Sequence, residues 1–262
     1  MYVRQRTFPP DGNSYSIMLH FDQNFEDHHL FMADKTKFWY LKHFNMFDGM
    51  DEGSMKQVDS KSNMQMVKTH EPIYFPDEPT HTIFFLKEGH VKISRVTQDG
   101  REVILDVLGP GEIFGEVGLP DEEATGRNEM AEALDEAVVC TMKREDFESL
   151  LKMNPNLNLE VTKRVGLRLR KIEERVTDLL FKDTKKRIAS FLVRYAEEFG
   201  KMKGGVVTVG NPLTQHEIAL LTGSARQTVT STLNEFRSMA ILDFSRTTIV
   251  IKDFGKLKHL SD

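Results

Sequence analysis

Residues 213–237, LTQHEIALLTGSARQTVTSTLNEFR, read as two short helices joined by a tight turn. Thr214 is followed three residues on by Glu217, and Ser224 by Gln227. Each pair fits the reciprocal capping box, in which side chain and backbone at the first turn satisfy each other's amides. Gly223 falls between the helices and supplies the left-handed backbone that turns one across the other. Ile218, Leu221, Val229 and Leu233 take the core positions. Arg226, Gln227, Thr230 and Ser231 are left facing outward.

The chemistry of that outward face suits the major groove of double-stranded DNA. Arg226 offers a fork of donors matching O6 and N7 of guanine, and Gln227 can both donate to and accept from adenine. Thr214, Ser224 and Thr228, with the amides at the two helix starts, suit phosphates. A helical hairpin packed in some other fold would carry the same residues as ordinary solvated side chains, so the neighbouring sequence decides. Residues 240–251, AILDFSRTTIVI, form two apolar runs separated by Ser245 and Arg246. They predict a small β-hairpin, a wing beside the two helices, with Arg246 at its tip as a further phosphate contact.

Charge is distributed accordingly. The chain carries a formal −5, but residues 183–262 hold 12 Lys and Arg against 8 Asp and Glu, a net +4, and the other 182 residues a net −9. The change of sign is the footprint of a phosphate-binding module. Its modest size predicts a dimer that combines two weak half-sites. With 262 residues, 39% hydrophobic and 29% charged, the chain is long enough for two domains. No run approaches the ~20 apolar residues of a membrane helix. The start MYVRQRTFPPDGNS lacks the apolar core of a signal peptide, which predicts a cytoplasmic protein. A single cysteine, Cys140, excludes an internal disulfide and any multi-cysteine iron–sulfur or zinc site within one chain. No nucleophile–base or metal constellation suggests an enzyme.

Upstream, residues 66–142 read as short strands at Ile73–Phe75, Ile83–Leu86, Val91–Val96, Val103–Val107 and Ala137–Met142, punctuated by Gly89, Asp99–Gly100 and Pro110–Gly111. This predicts an all-β roll or barrel, so that the fold class is α+β. A long helix over residues 156–181 links the two parts, with Val165, Leu169, Ile172, Val176 and Leu179 spaced four, three, four and three. Leu169 and Val176 take a positions and Ile172 and Leu179 take d positions. Arg168 at g and Glu173 at e would then pair between two parallel copies. Burial of the same stripe on the chain's own β domain is the alternative.

The β segment FFLKEGHVKISRVTQDGREVILDVLGPGEIFGE, the helix GLRLRKIEERV, the segment FKDTKKRIASFL and the motif LTQHEIALLTGSARQTV follow one another in an order and spacing that are specific. Over residues 45–255 the chain resembles the cyclic-AMP receptor protein and fumarate–nitrate reduction regulator family of bacterial transcription factors. The resemblance implies a cyclic-nucleotide-binding-like β-roll (jelly-roll) with flanking helices over residues 38–155 and a dimerisation helix over 156–182. A winged helix-turn-helix over 183–262 would complete the chain. It implies a homodimer on a near-palindromic site, with RNA polymerase as a partner and half-sites ~34 Å apart. It further implies a hinge near Phe181–Asp183.

Cyclic-nucleotide binders of that family use a Gly-Glu pair and an Arg-Ser pair in the roll. Gly115–Glu116 and Arg127–Asn128 stand at these places. Asn128 replaces the serine, the loop PDEEATG is acidic, Glu129 and Glu132 crowd the phosphate position, and Ile172–Glu173 replace the polar pair on the central helix. Glu116 and Arg127 could equally close the roll as an ion pair. The resemblance implies a second arginine where Ser231 stands. No iron–sulfur cysteines are present, and a haem would have to draw on His20, His28, His29, His43, His70, His81 or His90, which show no diagnostic spacing. A cyclic-nucleotide- or haem-binding sensor acting on a protein partner is the competing function. Residues 1–37 resist assignment beyond an arm over the roll. Residues 38–47, FWYLKHFNMF, predict an amphipathic helix packing its aromatics on the roll, and Cys140 a small buried hydrophobe.

Overall fold

The computed structural model describes residues 36–76, 81–115 and 129–262. All but the last two residues of the 1–37 extension therefore lie outside the described residues, as do Glu116, Arg127 and Asn128. The chain opens on α1 (Lys37–Lys42), a 3-10 turn (Asn45–Phe47) and α2 (Glu52–Lys61). Residues 38–47 are thus two short pieces instead of one helix, because Phe44 is extended, at φ −98° and ψ 108°. The aromatic packing still follows, since Tyr40, Phe44 and Phe47 are buried.

Eight strands form the roll: β1 (Ser62–Val67), β2 (Pro72–Tyr74), β3 (Thr82–Glu88), β4 (Val91–Val96), β5 (Glu102–Leu108), β6 (Ile113–Gly115), β7 (Met130–Ala133) and β8 (Ala137–Lys143). They pair as two four-stranded sheets, ordered β1-β8-β3-β6 and β2-β7-β4-β5, with every pairing antiparallel. The run IFFL at Ile83–Leu86 is buried on both faces because β3 is central and covered twice. Phe84 and Leu86 meet Tyr74, Val91, Ile93 and Phe114 between the sheets. Ile83 and Phe85 point the other way, onto Phe44, Phe47 and Phe147 of the helical layer, as the two-residue period of a strand requires. Cys140, fully buried on β8, joins that second cluster. Burial pushes its thiol up from the ordinary value, so it packs as the small hydrophobe expected. Strand β1, SNMQMV, escaped the sequence reading because its middle four residues are exposed.

Helix α3 (Arg144–Met153) leads into the central helix α4 (Pro155–Phe181), whose first turn carries a proline where the missing N–H costs nothing. Leu157 and Val161 bury in the roll's helical cluster. From there on the helix has two faces. Arg164, Arg168 and Arg175 reach the roll, donating to the Gly111 carbonyl at 2.5 Å, the Asp106 carboxylate at 2.9 Å and the Leu105 carbonyl at 3.1 Å. Arg168 thus has a carboxylate partner on β5 of its own chain, which its heptad position did not suggest. Val165, Leu169, Ile172, Val176 and Leu179, on the other face, remain 45–56% exposed. The stripe does not bury on the chain's own roll.

The C-terminal part comprises α5 (Thr184–Phe199), β9 (Lys201–Lys203), β10 (Val206–Gly210), α6 (Gln215–Thr222), α7 (Arg226–Ser238), β11 (Leu242–Phe244), β12 (Thr248–Ile251) and α8 (Phe254–Ser261). The expected wing is β11 and β12, extended by β10 and β9 into one antiparallel sheet. Helix α6 and its neighbours also cover the roll: Ile104, Val107 and Leu134 share one cluster with Leu192, Ile218 and Leu233.

Lys87 sits on the same face of β3 as Phe85, 8% exposed. Its Nζ lies 3.5 Å from the Phe44 ring centre and, among the described residues, has no hydrogen-bond partner. Burial pulls its pKa from 10.5 down to about 7, against a smaller opposing effect of Cys140. Between these values the folded chain holds less proton than the unfolded one, so stability rises with pH and the cost of the buried cation is full below 7. Lys87→Met should be about 1–3 kcal/mol more stable than the parent at pH 7. It should also lose the gain that the parent shows in urea unfolding between pH 7 and pH 8.5. An unchanged pH slope would place the titration elsewhere.

Candidate nucleic-acid interface

Helix α6 begins as read. Thr214 is its N-cap; the Glu217 amide donates to the Thr214 hydroxyl at 3.2 Å, and the Thr214 amide donates to Glu217 at 2.8 Å. The turn also forms as read. Gly223 is left-handed, at φ 59° and ψ 43°, a conformation that costs a residue with a β-carbon about 1 kcal/mol or more. The second cap differs. Ala225, not Ser224, is the N-cap of α7, and no side chain caps it. The Ser224 hydroxyl is instead 2.5 Å from that of Thr222. A serine one residue too early meets the end of α6 before it can reach the amides of α7. Those amides stay open, which favours an anion at the start of α7.

Ile218, Leu221, Val229 and Leu233 are buried, as their spacing requires. Arg226, Gln227 and Ser231 are exposed on α7, and Thr214 and Arg246 are exposed beside them. Thr228 and Thr230 are half-buried. The Thr230 hydroxyl donates to Gln215 Oε1 at 2.5 Å and lies 3.0 Å from the Arg226 carbonyl. Of the four residues read as base contacts, Thr230 therefore links the two helices while the other three are open to solvent. Gln215, not singled out from the sequence, is the other half of that link; its signal is only a polar residue at the first position of α6. Arg237, also unforeseen, fastens α7 to the wing through Asp243 at 2.8 Å and stacks on Phe244 at 3.9 Å from the ring centre.

Glu217 has a second role. Lys92, buried on β4, lies 3.4 Å from Glu217, 3.0 Å from Glu102 and 3.4 Å from Glu132. Burial alone would lower the lysine's pKa, but the hydrogen bond and charge of Glu102, with Glu132 and Glu217, leave it raised. This ion cluster fastens the first motif helix to the roll. The carboxylate of Glu132 is shared with His70, at 3.2 Å, and Glu129 accepts from the Tyr74 hydroxyl at 3.0 Å. Both acidic residues that crowd the phosphate position in the sequence are thus occupied by partners in the roll.

In the roll's effector region only Gly115 is described. It is left-handed at φ 96°, and a β-carbon there would come 2.5 Å from the Thr82 carbonyl oxygen. That glycine is required by the strand pairing whatever the pocket holds. A groove of about 780 Å³ lies between β5, α4 and α5, lined by Asp106, Arg168, Ile172 and Tyr195 among others. Its charges are largely paired: Arg168 with Asp106, and Lys171 with Glu198 at 2.5 Å. Three of the histidines read as haem candidates have local partners. His43 contacts the Trp39 carbonyl, His70 contacts Glu132 and His90 contacts Asp135. His20, His28 and His29 lie outside the described residues.

A model for the cyclic nucleotide-binding domain matches residues 64–154 and one for the Crp-like helix-turn-helix domain matches residues 186–260. The CRP-like cAMP-activated global transcriptional regulator of Mycobacterium tuberculosis is 30% identical over 213 residues, covering 78% of this chain and 94% of that protein. The global nitrogen regulator of Nostoc sp. is 27% identical over 207 residues, 79% of this chain and 91% of that one. Among solved structures, a mutant of CooA from Carboxydothermus hydrogenoformans superposes with a TM-score of 0.68 at 26% identity, covering 85% of this chain and 95% of that one. FixK2 from Bradyrhizobium japonicum superposes with a TM-score of 0.67, covering 77% of this chain and 98% of that one, and at 23% identity speaks for the fold. With both domain models matched in order along one chain, and the roll, central helix and winged motif in place, the protein belongs to the CRP/FNR family of DNA-binding transcription regulators.

Proposed function

We propose that this regulator works as a homodimer that seats one α7 in each of two successive major grooves of a near-palindromic site. Arg226, Gln227 and Ser231 read bases, with Thr230 holding α6 and α7 together behind them. Thr214, Ser224, Thr228, Arg246 and the uncapped amides of α7 hold phosphates. The observation that carries this reading is the exposure of Arg226 and Gln227 on a helix whose other side is fully committed to the core. Pairing of the two copies runs through Val165, Leu169, Ile172, Val176 and Leu179. In a cytoplasm the DNA-bound dimer would present itself to RNA polymerase; catalysis is no part of the role. Among the described residues, no helix is long and apolar enough to cross a membrane.

The roll acts as the regulatory domain, and the central helix beside it supports a setting independent of cyclic AMP. Ile172 stands where the family's cyclic-nucleotide binders carry a polar residue and offers no hydrogen bond to a base. The relative from Mycobacterium tuberculosis is cAMP-activated by name; here we expect cyclic AMP to leave the thermal midpoint unmoved, and a clear rise would restore the nucleotide as effector.

Gel-shift titration over a range of salt tests DNA binding, because log affinity should fall linearly with log salt. Loss of all binding at low salt would end the proposal. Arg226→Ala should cost about 1–3 kcal/mol per half-site and relax preference at one base pair; unchanged binding to the best site would remove Arg226 as a reader. Ile172→Glu puts a charge in the seam and should yield monomers in sedimentation with the roll still folded. A dimer that survives it would locate the interface elsewhere.

A further inference from the structure

Arg187, in the first turn of α5, is half-buried and gives its guanidinium to three backbone carbonyls at once. Nη1 donates to the Lys182 carbonyl at 2.8 Å, Nε to the Thr222 carbonyl at 2.8 Å, and Nη2 to the Gly223 carbonyl at 3.0 Å. A fourth contact, 3.2 Å to the Thr184 hydroxyl, holds the fork in plane. Lys182 is the C-cap of the central helix α4, and Thr222 and Gly223 close α6. The last carbonyls of a helix lack intrahelical donors and carry the negative end of its dipole, so a cation placed there is favoured. Here one cation serves two helix ends. Only a planar, multiply donating group can do this, which distinguishes arginine from lysine.

Two further contacts bear on the same junction. A β-carbon on Gly223 would lie 2.7 Å from Leu179 Cδ2, so the turn of the motif rests directly on a residue of the apolar stripe. Buried Asp178 accepts from Arg194 of α5 at 2.6 Å and pairs with Lys182 at 3.0 Å, pinning the end of α4 to the next helix. The hinge is therefore clamped to the motif turn.

We propose that Arg187 is a positioning residue for DNA reading: it welds the end of the dimerisation helix to the turn between the motif helices, so that the angle between the two central helices sets the angle of α7. This rests on the function proposed above, although part of its test needs no DNA. Arg187→Lys and Arg187→Gln in the full-length chain are compared with the parent by amide hydrogen exchange. Their affinity is measured for the best duplex that the parent selects from a randomised pool and for a scrambled duplex.

Exchange at the Lys182 amide, bonded to Asp178, and at the Ser224 amide, bonded to Ala219, should rise together by about tenfold while the roll strands are unaffected. Affinity for the selected duplex should fall about tenfold with the scrambled one unchanged. Faster exchange at the turn alone, equal losses on both duplexes, or no change in either measurement would overturn the assignment. If Arg187→Gln does not fold, Arg187→Lys, which keeps the charge and most of the stem, decides. Should the parent prefer no duplex, the DNA-reading proposal falls by that result, whereas independent exchange at Lys182 and Ser224 would remove the clamp itself.

Discussion

One helix has to satisfy two environments, and the architecture follows from that. The central helix turns its arginines to the roll, where Asp106 and the carbonyls of Leu105 and Gly111 take them up. Its apolar stripe is consequently left in water. A fully buried Val, Leu or Ile contributes ~1.5–3 kcal/mol relative to an exposed one, so covering five that are half-exposed would gain ~5 kcal/mol per copy. Association costs at least ~4 kcal/mol. Two stripes facing each other can exceed that cost, whereas an isolated chain forgoes the gain entirely. In the proposed dimer, pairing is the counterpart of the ion pairs on the other face: the roll takes the charged side of the helix, and a second copy of the same pattern matches the side that remains.

The elements with a periodic signal were legible in the sequence. The stripe at 165–179, the alternation of β3 and β4 and the capping box at Thr214 all depend on side chains whose spacing states their environment. What was hidden depends on contacts between distant segments. Strand β1 alternates only at Met64 and Met66, which face solvent, and its place in the sheet comes from pairing with β8. The cap expected at Ser224 does not form because Thr222 captures its hydroxyl, a contact the local pattern does not reveal. The pairing of Arg168 with Asp106 could not be foreseen, because β5 and α4 meet only in the fold. Lys92 and Glu217 are a similar case, being joined across 125 positions.

That last ion cluster bears on how the DNA-binding part is held. Glu217 is at once the partner of Thr214 in the cap of α6 and the ligand of Lys92 in the roll. Ile104, Val107 and Leu134 extend the same contact with apolar surface. Two attachments therefore compete for α6. The roll holds its N-terminal turn through a buried lysine, and the end of the central helix holds its C-terminal turn through Arg187 and Leu179. A rotation of the motif about the hinge that preserved the second attachment would have to break the first, leaving Lys92 with Glu102 and Glu132 as its remaining partners. Three carboxylates around one lysine make this a tolerable loss, since two counter-charges stay in place and Glu217 keeps its cap when exposed to water. The two attachments of α6 differ in kind: the roll holds it through an ion cluster and the apolar surface of Ile104, Val107 and Leu134, the central helix through Arg187 and Leu179. A module turned with the central helix would have to give up the first of these, charge and apolar surface together.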